Sequence, residues 1–429
     1  MTQHLKKVGI LCGGGPAPGI NSVISAATIR ACLSGCEVLG LRDGFKWLME
    51  RDLNHVTPLT IELMSRLHFR GGSMLGIARA NPTKDPKYLE AVVSSLQRLD
   101  IDRLITIGGD DTAFSAYNIM KASEGRIRVV HVPKTIDNDL DLPPEVCTFG
   151  FQTARHLGCE IVKNLLVDAA TTSRWYFVVA MGRKAGHLAL AIGKAAGATL
   201  SLIAEEFPEK VIRLEKIIDT LVGAIIKRMA NGQTHGVAVL AEGLVEKIDE
   251  RDLSELVGVE RDEHGHIRIA EIDFSDIVKR HVAKQLAALK IKATLIQKNI
   301  GYELRCADPI AFDLEYTREL GYCAAKYLLE GGNAAIVSLH AAKFVALKFD
   351  DMMDPKTGRT RVRMVDVDAV PYKIARRYMI RLRKDDFENP PEIAKFAAVA
   401  RMTPEQFRER FEHVVKDEAP PLSLNPHGL

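Results

Sequence analysis

The segment KVGILCGGGPAPGIN, residues 7–21, joins a short apolar run to a glycine-rich loop and the start of a helical pattern. We predict a strand at Lys7–Cys12 and a helix from about Asn21 to Leu33. A strand that leads through a glycine loop into a helix is typical of α/β proteins, in which parallel strands alternate with helices on both faces of a sheet.

The same alternation recurs along the chain. Further strands are predicted at Cys36–Leu41, Arg103–Ile107, Ile127–Val132, Trp175–Ala180, Thr199–Ala204, Val237–Ala241 and Ala335–Leu339. Helical patterns lie between them, for example at Thr112–Ala122, Arg155–Asp168 and Lys210–Arg228. Ligands bind beyond the carboxyl ends of the strands in such sheets, so the chemistry is expected at those ends.

The composition excludes several classes of protein. The 429 residues are 47% hydrophobic and 26% charged, which is ordinary for a folded chain of two or three domains. A net charge of +3 is too small to indicate nucleic-acid binding. Seven cysteines without zinc spacing favour reduced thiols, and neither a signal peptide nor a membrane span is recognisable. We expect a cytoplasmic protein with no membrane or nucleic-acid partner.

The loop at residues 13–19 frees backbone N–H groups to approach an anion at a helix start, which predicts phosphate binding. It is not a Walker loop, because Ile20 and Asn21 follow Gly19 where Lys and Ser or Thr are required. Pro18 also breaks the dinucleotide-binding spacing. A tight turn without a ligand is the alternative.

Two further motifs follow predicted strands. In the first, Asp110 and Asp111 adjoin Gly108-Gly109, and paired carboxylates beside glycines suit Mg²⁺ together with phosphate oxygens; helix capping is the alternative. In the second, Lys134-Thr-Ile-Asp137-Asn-Asp139 gathers an amine, a hydroxyl and carboxylates that can neutralise a phosphoryl group and accept a hydroxyl proton.

Arginines suited to phosphate recognition end two other segments, Ala180-Met-Gly-Arg183 and Gly301-Tyr-Glu-Leu-Arg305. Arg174 is another basic candidate. Each arginine, taken alone, is more often a solvated surface charge.

These five segments, in this order, resemble the phosphofructokinase family over roughly residues 6–340. The resemblance implies two Rossmann-like α/β domains with mainly parallel sheets and an active-site cleft between them. It implies Mg²⁺-dependent phosphoryl transfer to the 1-hydroxyl of fructose 6-phosphate. We expect a phosphoryl-donor domain at 1–150 plus about 306–348, a sugar-phosphate domain at 151–305 with a surface insertion near 247–291, and a C-terminal helical extension at 349–429.

The resemblance also implies roles, position by position. It identifies Asp137 as the catalytic base, supported by Asp139, with Lys134 and Arg183 as further catalytic residues. Substrate contacts are implied for Thr135, Arg174, Met181, Gly182, Arg183, Glu242, Tyr302 and Arg305. Donor contacts are implied for Gly14, Gly15, Arg79, Gly109, Asp111 and Lys134, and a metal contact for Asp110. Arg174 matches a residue that family members lend to a neighbouring subunit, which implies a homodimer or homotetramer.

Two positions indicate the donor. ATP-using members of the family tend to carry glycine where this chain has Asp111 and Lys134. A side chain at 111 occupies the space of a nucleotide's α-phosphate and opposes its charge, and Lys134 supplies positive charge where it is needed in phosphoryl transfer. Pyrophosphate and a reversible reaction are therefore implied.

Three alternatives stay open: an ATP-dependent enzyme, a kinase for another sugar phosphate such as sedoheptulose 7-phosphate, and a noncatalytic subunit that keeps the fold. One departure from the family pattern is Ile296, which stands where an arginine is usual; Lys298 lies nearby and is a candidate substitute. The stretch at 247–291 and the chain after 348 carry no readable role.

Overall fold

A computed structural model describes residues 7–143, 145–254, 272–354 and 360–424. The chain divides into two compact units. The first consists of Met1–Ala154 and Tyr302–Arg363, and the second of Arg155–Gly301 and Met364–Leu429. Each unit is built on its own sheet.

The strands of the described chain are β1 (Lys7–Cys12), β2 (Glu37–Leu41), β3 (Val56–Leu59), β4 (Ile101–Gly108), β5 (Arg128–Pro133), β6 (Arg174–Ala180), β7 (Leu200–Leu202), β8 (Gly236–Ala241), β9 (Thr294–Ile300), β10 (Ala335–His340) and β11 (Lys343–Lys348). The α-helices in the same residues are α1 (Ile20–Cys32), α2 (Lys46–Met49), α3 (Ile61–Met64), α4 (Pro86–Arg98), α5 (Asp110–Ala122), α6 (Phe151–Thr172), α7 (His187–Ala196), α8 (Leu214–Ala230), α9 (Glu250–Ser254), α10 (Phe274–Ala288), α11 (Tyr302–Arg305), α12 (Ala311–Leu329), α13 (Phe349–Met352), α14 (Val370–Tyr378), α15 (Lys384–Glu388), α16 (Pro390–Ala400) and α17 (Pro404–Phe411). None of these helices is both long enough and apolar enough to cross a bilayer.

Seven of the described strands form the sheet of the first unit, in the order β11-β10-β5-β4-β1-β2-β3. The five inner strands are parallel, whereas the edge strands β3 and β11 are antiparallel to their neighbours. β1 and β4 are almost entirely buried, as expected for parallel strands covered on both faces. The chain leaves β1 toward β2 on one side and later returns to β4 on the other. This reversal is the topological switch point at which α/β sheets bind ligands.

Four of the described strands form the sheet of the second unit, in the order β7-β8-β6-β9, and all of them are parallel. Trp175 and Phe177 of β6 are fully buried in its core. The predicted α/β class with mainly parallel sheets is therefore confirmed in both units.

The C-terminal helices complete the core of the second unit. Phe396 of α16 and Phe407 and Phe411 of α17 are fully buried together with residues of α8. Burial of each such ring contributes about 1.5–3 kcal/mol. The predicted C-terminal helical extension is confirmed, and these helices are part of the hydrophobic core.

The stretch near 247–291 is only partly described, since residues 255–271 lie outside the described residues. Within it, α10 buries Phe274, Val278 and Val282 in the core of the second unit. Its apolar residues recur at helical spacing and form one buried face. The interpretation of this stretch as a surface insertion is therefore wrong for residues 274–288.

Candidate active site

Three predicted motifs meet at the carboxyl edge of the first sheet, where β1, β4 and β5 lie side by side. Backbone hydrogen bonds connect them. The N–H of Gly13 donates to the carbonyl of Ile107 at 2.9 Å, and the N–H of Lys134 donates to that of Gly108 at 2.7 Å. Adjacent parallel strands end at the same edge, so motifs that are distant in sequence form one site.

Glycine is required where these loops touch. A Cβ on Gly108 would lie 2.3 Å from the side chain of Thr112, a clash that could not be relieved cheaply. Gly14 has a φ of +80°, and a Cβ there would lie 3.6 Å from Lys134 Nζ. The backbone of the glycine loop therefore approaches the lysine closely. The buried Thr112 is a supporting residue that the sequence did not single out.

Lys134 is the cation at the centre of this cluster. Its side chain is 3% exposed, and Nζ donates a hydrogen bond to the carbonyl of Gly15. Burial lowers the pKa of Lys134, Cys12 and Asp137 act to raise it, and the neighbouring Arg305 lowers it further. A buried cation beside the partly exposed Gly14 and Gly15 gains interaction energy when an anion enters the loop.

The loop that carries Asp137 has its own internal support. The N–H of Asp137 donates to Thr135 Oγ1 at 3.0 Å. Thr148 Oγ1 donates to the carbonyl of Thr135 at 2.7 Å, and Thr148 N donates to Asn138 Oδ1 at 3.0 Å. Asp139 follows in the same loop and contributes negative charge near Lys134. The lysine and both predicted catalytic carboxylates are thus held within one short, hydrogen-bonded segment.

Asp110 and Asp111 form the first turn of α5, directly after Gly109. The N–H of Asp111 donates to Asp110 Oδ1 at 2.9 Å, so Asp110 is oriented by the helix start. Asp110 is half-buried and Asp111 is exposed. The segment that contains Arg79 joins the same edge through a parallel bridge between Gly13 and Ala78.

Arg305 also reaches the glycine loop. A Cβ on Gly15 would lie 3.0 Å from Arg305 Nη1. The guanidinium lies over the ring of Tyr302, 4.5 Å from its centroid, and this ring is 79% exposed. The first unit therefore brings Arg305 and Lys134 to the same loop.

The second unit brings together the predicted sugar-phosphate residues that follow β6 and β8. The N–H of Gly182 donates to Glu242 Oε2 at 3.1 Å, and the N–H of Gly243 donates to the carbonyl of Gly182 at 3.1 Å. Met181 N donates to the carbonyl of Ile300 at 3.0 Å. Arg183, the last residue of this turn, is exposed and available to a ligand.

Arg174 lies at the opposite end of β6 from this turn. Strands rise about 3.3 Å per residue, so the length of β6 separates Arg174 from Met181 within the second unit. Ile296 and Lys298 pair with Tyr176 and Val178 across β9 and β6, which puts both on the strand beside the turn.

His131 is a further supporting residue that the sequence did not reveal. It is fully buried on β5, with Nε2 donating to the carbonyl of Gly108 at 3.0 Å and Nδ1 accepting from Thr106 Oγ1 at 2.9 Å. Burial lowers the pKa of His131 to about 3. The neutral ring therefore fixes the carbonyl next to the Asp110 loop.

Two known proteins match this chain over nearly its full length. A relative from Thermotoga maritima named pyrophosphate–fructose 6-phosphate 1-phosphotransferase is 51% identical over 96% of this chain and 99% of its own. A relative of the same name from Naegleria fowleri is 48% identical over 96% of this chain and 97% of its own. Both matches cover nearly the full length of this chain and of the relative.

Solved structures show the same fold at lower identity. The pyrophosphate-dependent phosphofructokinase from Nitrosospira multiformis superimposes with a TM-score of 0.65 at 18% identity, covering 98% of this chain and 94% of its own. The model of the family described as Phosphofructokinase matches residues 7–328. The resemblance seen in the motifs is thereby confirmed, and the chain belongs to the phosphofructokinase family.

Proposed function

We propose that this protein transfers a phosphoryl group from pyrophosphate to the 1-hydroxyl of fructose 6-phosphate, giving fructose 1,6-bisphosphate and phosphate in a reversible reaction. The observation that carries the proposal is the buried Lys134 at the glycine loop, within three residues of Asp137. The names of relatives that match nearly the full length of the chain support it.

Pyrophosphate fits the donor side of the site. The glycine loop with Gly14 and Gly15 and the start of α5 at Gly109 offer backbone N–H groups, and Lys134 offers a buried positive charge. Arg79 adds a guanidinium from a segment bridged to the loop. Asp111 places a carboxylate where the rest of a nucleotide would extend, which favours the smaller donor.

Asp137 is the base in this proposal. It takes the proton from the sugar hydroxyl as that oxygen bonds to the transferred phosphorus, while the bond from phosphorus to the bridging oxygen breaks and phosphate leaves. Lys134 and Arg183 stabilise the charge that develops on the phosphate oxygens. Asp139 supports Asp137 electrostatically.

The metal in this proposal is Mg²⁺, which Asp110 would hold together with oxygens of the bound phosphates. No group of three or more His, Cys, Asp or Glu side chains suited to a metal occurs in the described part of the chain. A single carboxylate fits Mg²⁺, which keeps water ligands and binds through substrate phosphates. When bound, the ion neutralises charge on the diphosphate.

Each unit contains residues whose chemistry suits the acceptor. Thr135, Tyr302 and Arg305 come from the first, and the turn at 181–183 and Glu242 come from the second. Because Glu242 accepts from Gly182 N, its carboxylate is oriented by the turn itself. A carboxylate so fixed suits sugar hydroxyls, and the arginines suit the terminal phosphate.

The proposal includes a homodimer or homotetramer. Arg174 lies at the opposite end of β6 from the turn at 181–183, so it would contribute to the substrate site of a neighbouring subunit and not to that turn in its own chain. The compartment proposed is the cytoplasm. None of the seven cysteines, all of which lie in the described residues, forms a disulfide, as expected under reducing conditions.

Phosphorus NMR tests the proposed reaction in both directions. With Mg²⁺, fructose 6-phosphate and pyrophosphate should yield fructose 1,6-bisphosphate and phosphate, and the products should regenerate pyrophosphate. ATP in place of pyrophosphate should give little product. Faster conversion with ATP, or a clear preference for sedoheptulose 7-phosphate as acceptor, would replace the proposal with one of its alternatives.

A further inference from the structure

A segment beyond the family-matched region lies along the loop that carries Asp137. Leu140 and Val362 form an antiparallel bridge, and the N–H of Arg363 donates to the carbonyl of Asp139 at 2.8 Å. We call residues 360–363 the strap. Its pairing places it beside the predicted catalytic loop, within the first unit.

The guanidinium of Arg363 donates three hydrogen bonds to this loop. Nε donates to the carbonyl of Asn138 at 3.2 Å, Nη1 donates to the carbonyl of Val146 at 2.7 Å, and Nη2 donates to Asn138 Oδ1. Asn138 directly follows Asp137. One side chain of the strap therefore contacts the backbone and the side chain of the residue adjacent to the proposed base.

Asn138 needs such support because its backbone is in the left-handed region, with a φ of +55°. Asparagine tolerates this conformation better than most residues, but it is still uncommon. Thr148 N donates to Asn138 Oδ1 from the other side at 3.0 Å. Arg363 and Thr148 together fix both the backbone and the amide of Asn138, which sets the direction in which the chain presents Asp137.

The arrangement requires arginine. Arg363 uses three separate nitrogens of a planar group to bind two carbonyls and an amide oxygen, whereas the three donors of a lysine all lie on one nitrogen and do not match this spacing. The charge of the guanidinium strengthens these hydrogen bonds. Arg363 is only partly exposed, so water competes weakly for the same acceptors.

We propose that Arg363 is a positioning residue for phosphoryl transfer, holding Asn138 and thereby aiming the Asp137 carboxylate at the acceptor hydroxyl. This inference rests on the proposed role of Asp137. Arg363 contacts the loop backbone and the side-chain amide of Asn138. Because these contacts orient the base, the removal of Arg363 should lower the rate of the chemical step more than the affinity for substrates.

The test compares Arg363→Met, Arg363→Lys and the control Arg361→Met. Arg361 lies two residues away on the strap and forms an ion pair with Asp141 at 2.8 Å, a pair exposed to solvent. We expect Arg363→Met to lower kcat about 10- to 100-fold, because a misplacement of about 1 Å costs on the order of 100-fold. KM for both substrates should change less than about threefold, Arg363→Lys should be intermediate, and Arg361→Met should stay within about twofold.

A double-mutant cycle separates positioning from general damage. In an Asp137→Ser background the Arg363→Met change should cost less than about threefold, because the group it aims is gone. An equal loss of kcat in both backgrounds, or a kcat for Arg363→Met within twofold of wild type, would overturn the inference. If Arg363→Met does not fold, as judged by circular dichroism, the cycle is run with Arg363→Lys.

The ratios of kcat in the double-mutant cycle test the role of Arg363 separately from the choice of phosphoryl donor. The acceptor hydroxyl must lose its proton whichever donor is used. If the wild type used ATP and not pyrophosphate, the donor proposal would fail, yet the cycle measured with ATP would still support or overturn the role of Arg363.

Discussion

The ammonium group of Lys134 donates a hydrogen bond to the main-chain carbonyl of Gly15 and so joins the end of β5 to the loop after β1. If this cation binds the donor and stabilises the transition state, Lys134→Met should lower kcat/KM for pyrophosphate about 100- to 1000-fold. Steady-state kinetics checks this value. Lys121→Met, at the exposed end of α5, is the matched control and should leave kcat/KM for pyrophosphate nearly unchanged. An equal effect of both changes would argue against a specific role for Lys134.

Donor choice should respond to residue 111. In the double variant Asp111→Gly with Lys134→Gly, the loss of Asp111 removes volume and negative charge that oppose a nucleotide, and the loss of Lys134 gives the glycine usual in ATP-using members. We expect the ratio of kcat/KM for ATP to that for pyrophosphate to rise at least about tenfold. Asp111→Asn keeps the size and removes the charge, which separates the two effects. An unchanged ratio in the double variant would refute the steric and electrostatic account.

Stability should fall in acid because of His131. Burial lowers the pKa of this group from 6.5 to about 3. Between these values the unfolded chain binds a proton that the folded chain does not, so His131 has little effect on stability well above pH 6.5 and lowers the free energy of unfolding increasingly as the pH falls toward 3. The loss between pH 6.5 and pH 5 is about 2 kcal/mol.

Thermal melts at pH 7 and pH 5 test this linkage. The drop in Tm between the two should be smaller in His131→Gln than in the wild type, whatever the absolute Tm of the variant. Equal drops would show that the ring is not kept neutral by the fold.

Subunit sharing of Arg174 can be tested by complementation. If Arg174 serves a neighbour's site, Arg174→Ala and Asp137→Ser should each be inactive alone. A mixed oligomer then contains some sites with both residues intact, and co-expression should restore a measurable fraction of wild-type activity. Mixed oligomers that stay inactive would mean that Arg174 acts within its own chain, and an Arg174→Ala variant that is active alone would mean that Arg174 has no such role.

Local patterns predicted much of the fold. The strand at Lys7–Cys12 has the predicted bounds, and α1 differs from its prediction by one residue at each end. β9 was not predicted, because the sequence TLIQKNI mixes polar and apolar residues without clear alternation. It is a strand because it pairs along its whole length with β6. Such non-local pairing outweighs local preference.

The site likewise has parts that local sequence patterns predict and parts that depend on contacts between distant residues. Loops after β1, β4 and β5 could be assigned from glycine, aspartate and lysine motifs at strand ends, and the structure brings those of the first unit to one edge. Their catalytic roles stay predictions. His131 and Arg363 could not be found, because their partners Thr106 and Asn138 are distant in sequence and their own segments carry no motif.

Pyrophosphate-dependent phosphoryl transfer with Asp137 as the base is tested most directly by the rate of fructose 1,6-bisphosphate formation. The rate is measured with Mg²⁺ and either pyrophosphate or ATP, for the wild type, Asp137→Ser and the control Asp141→Ser. We expect the wild type and Asp141→Ser to use pyrophosphate at similar rates and ATP poorly, and Asp137→Ser to lose about 100-fold or more. A wild type that prefers ATP, or an Asp137→Ser variant that keeps its rate with pyrophosphate, would contradict the account.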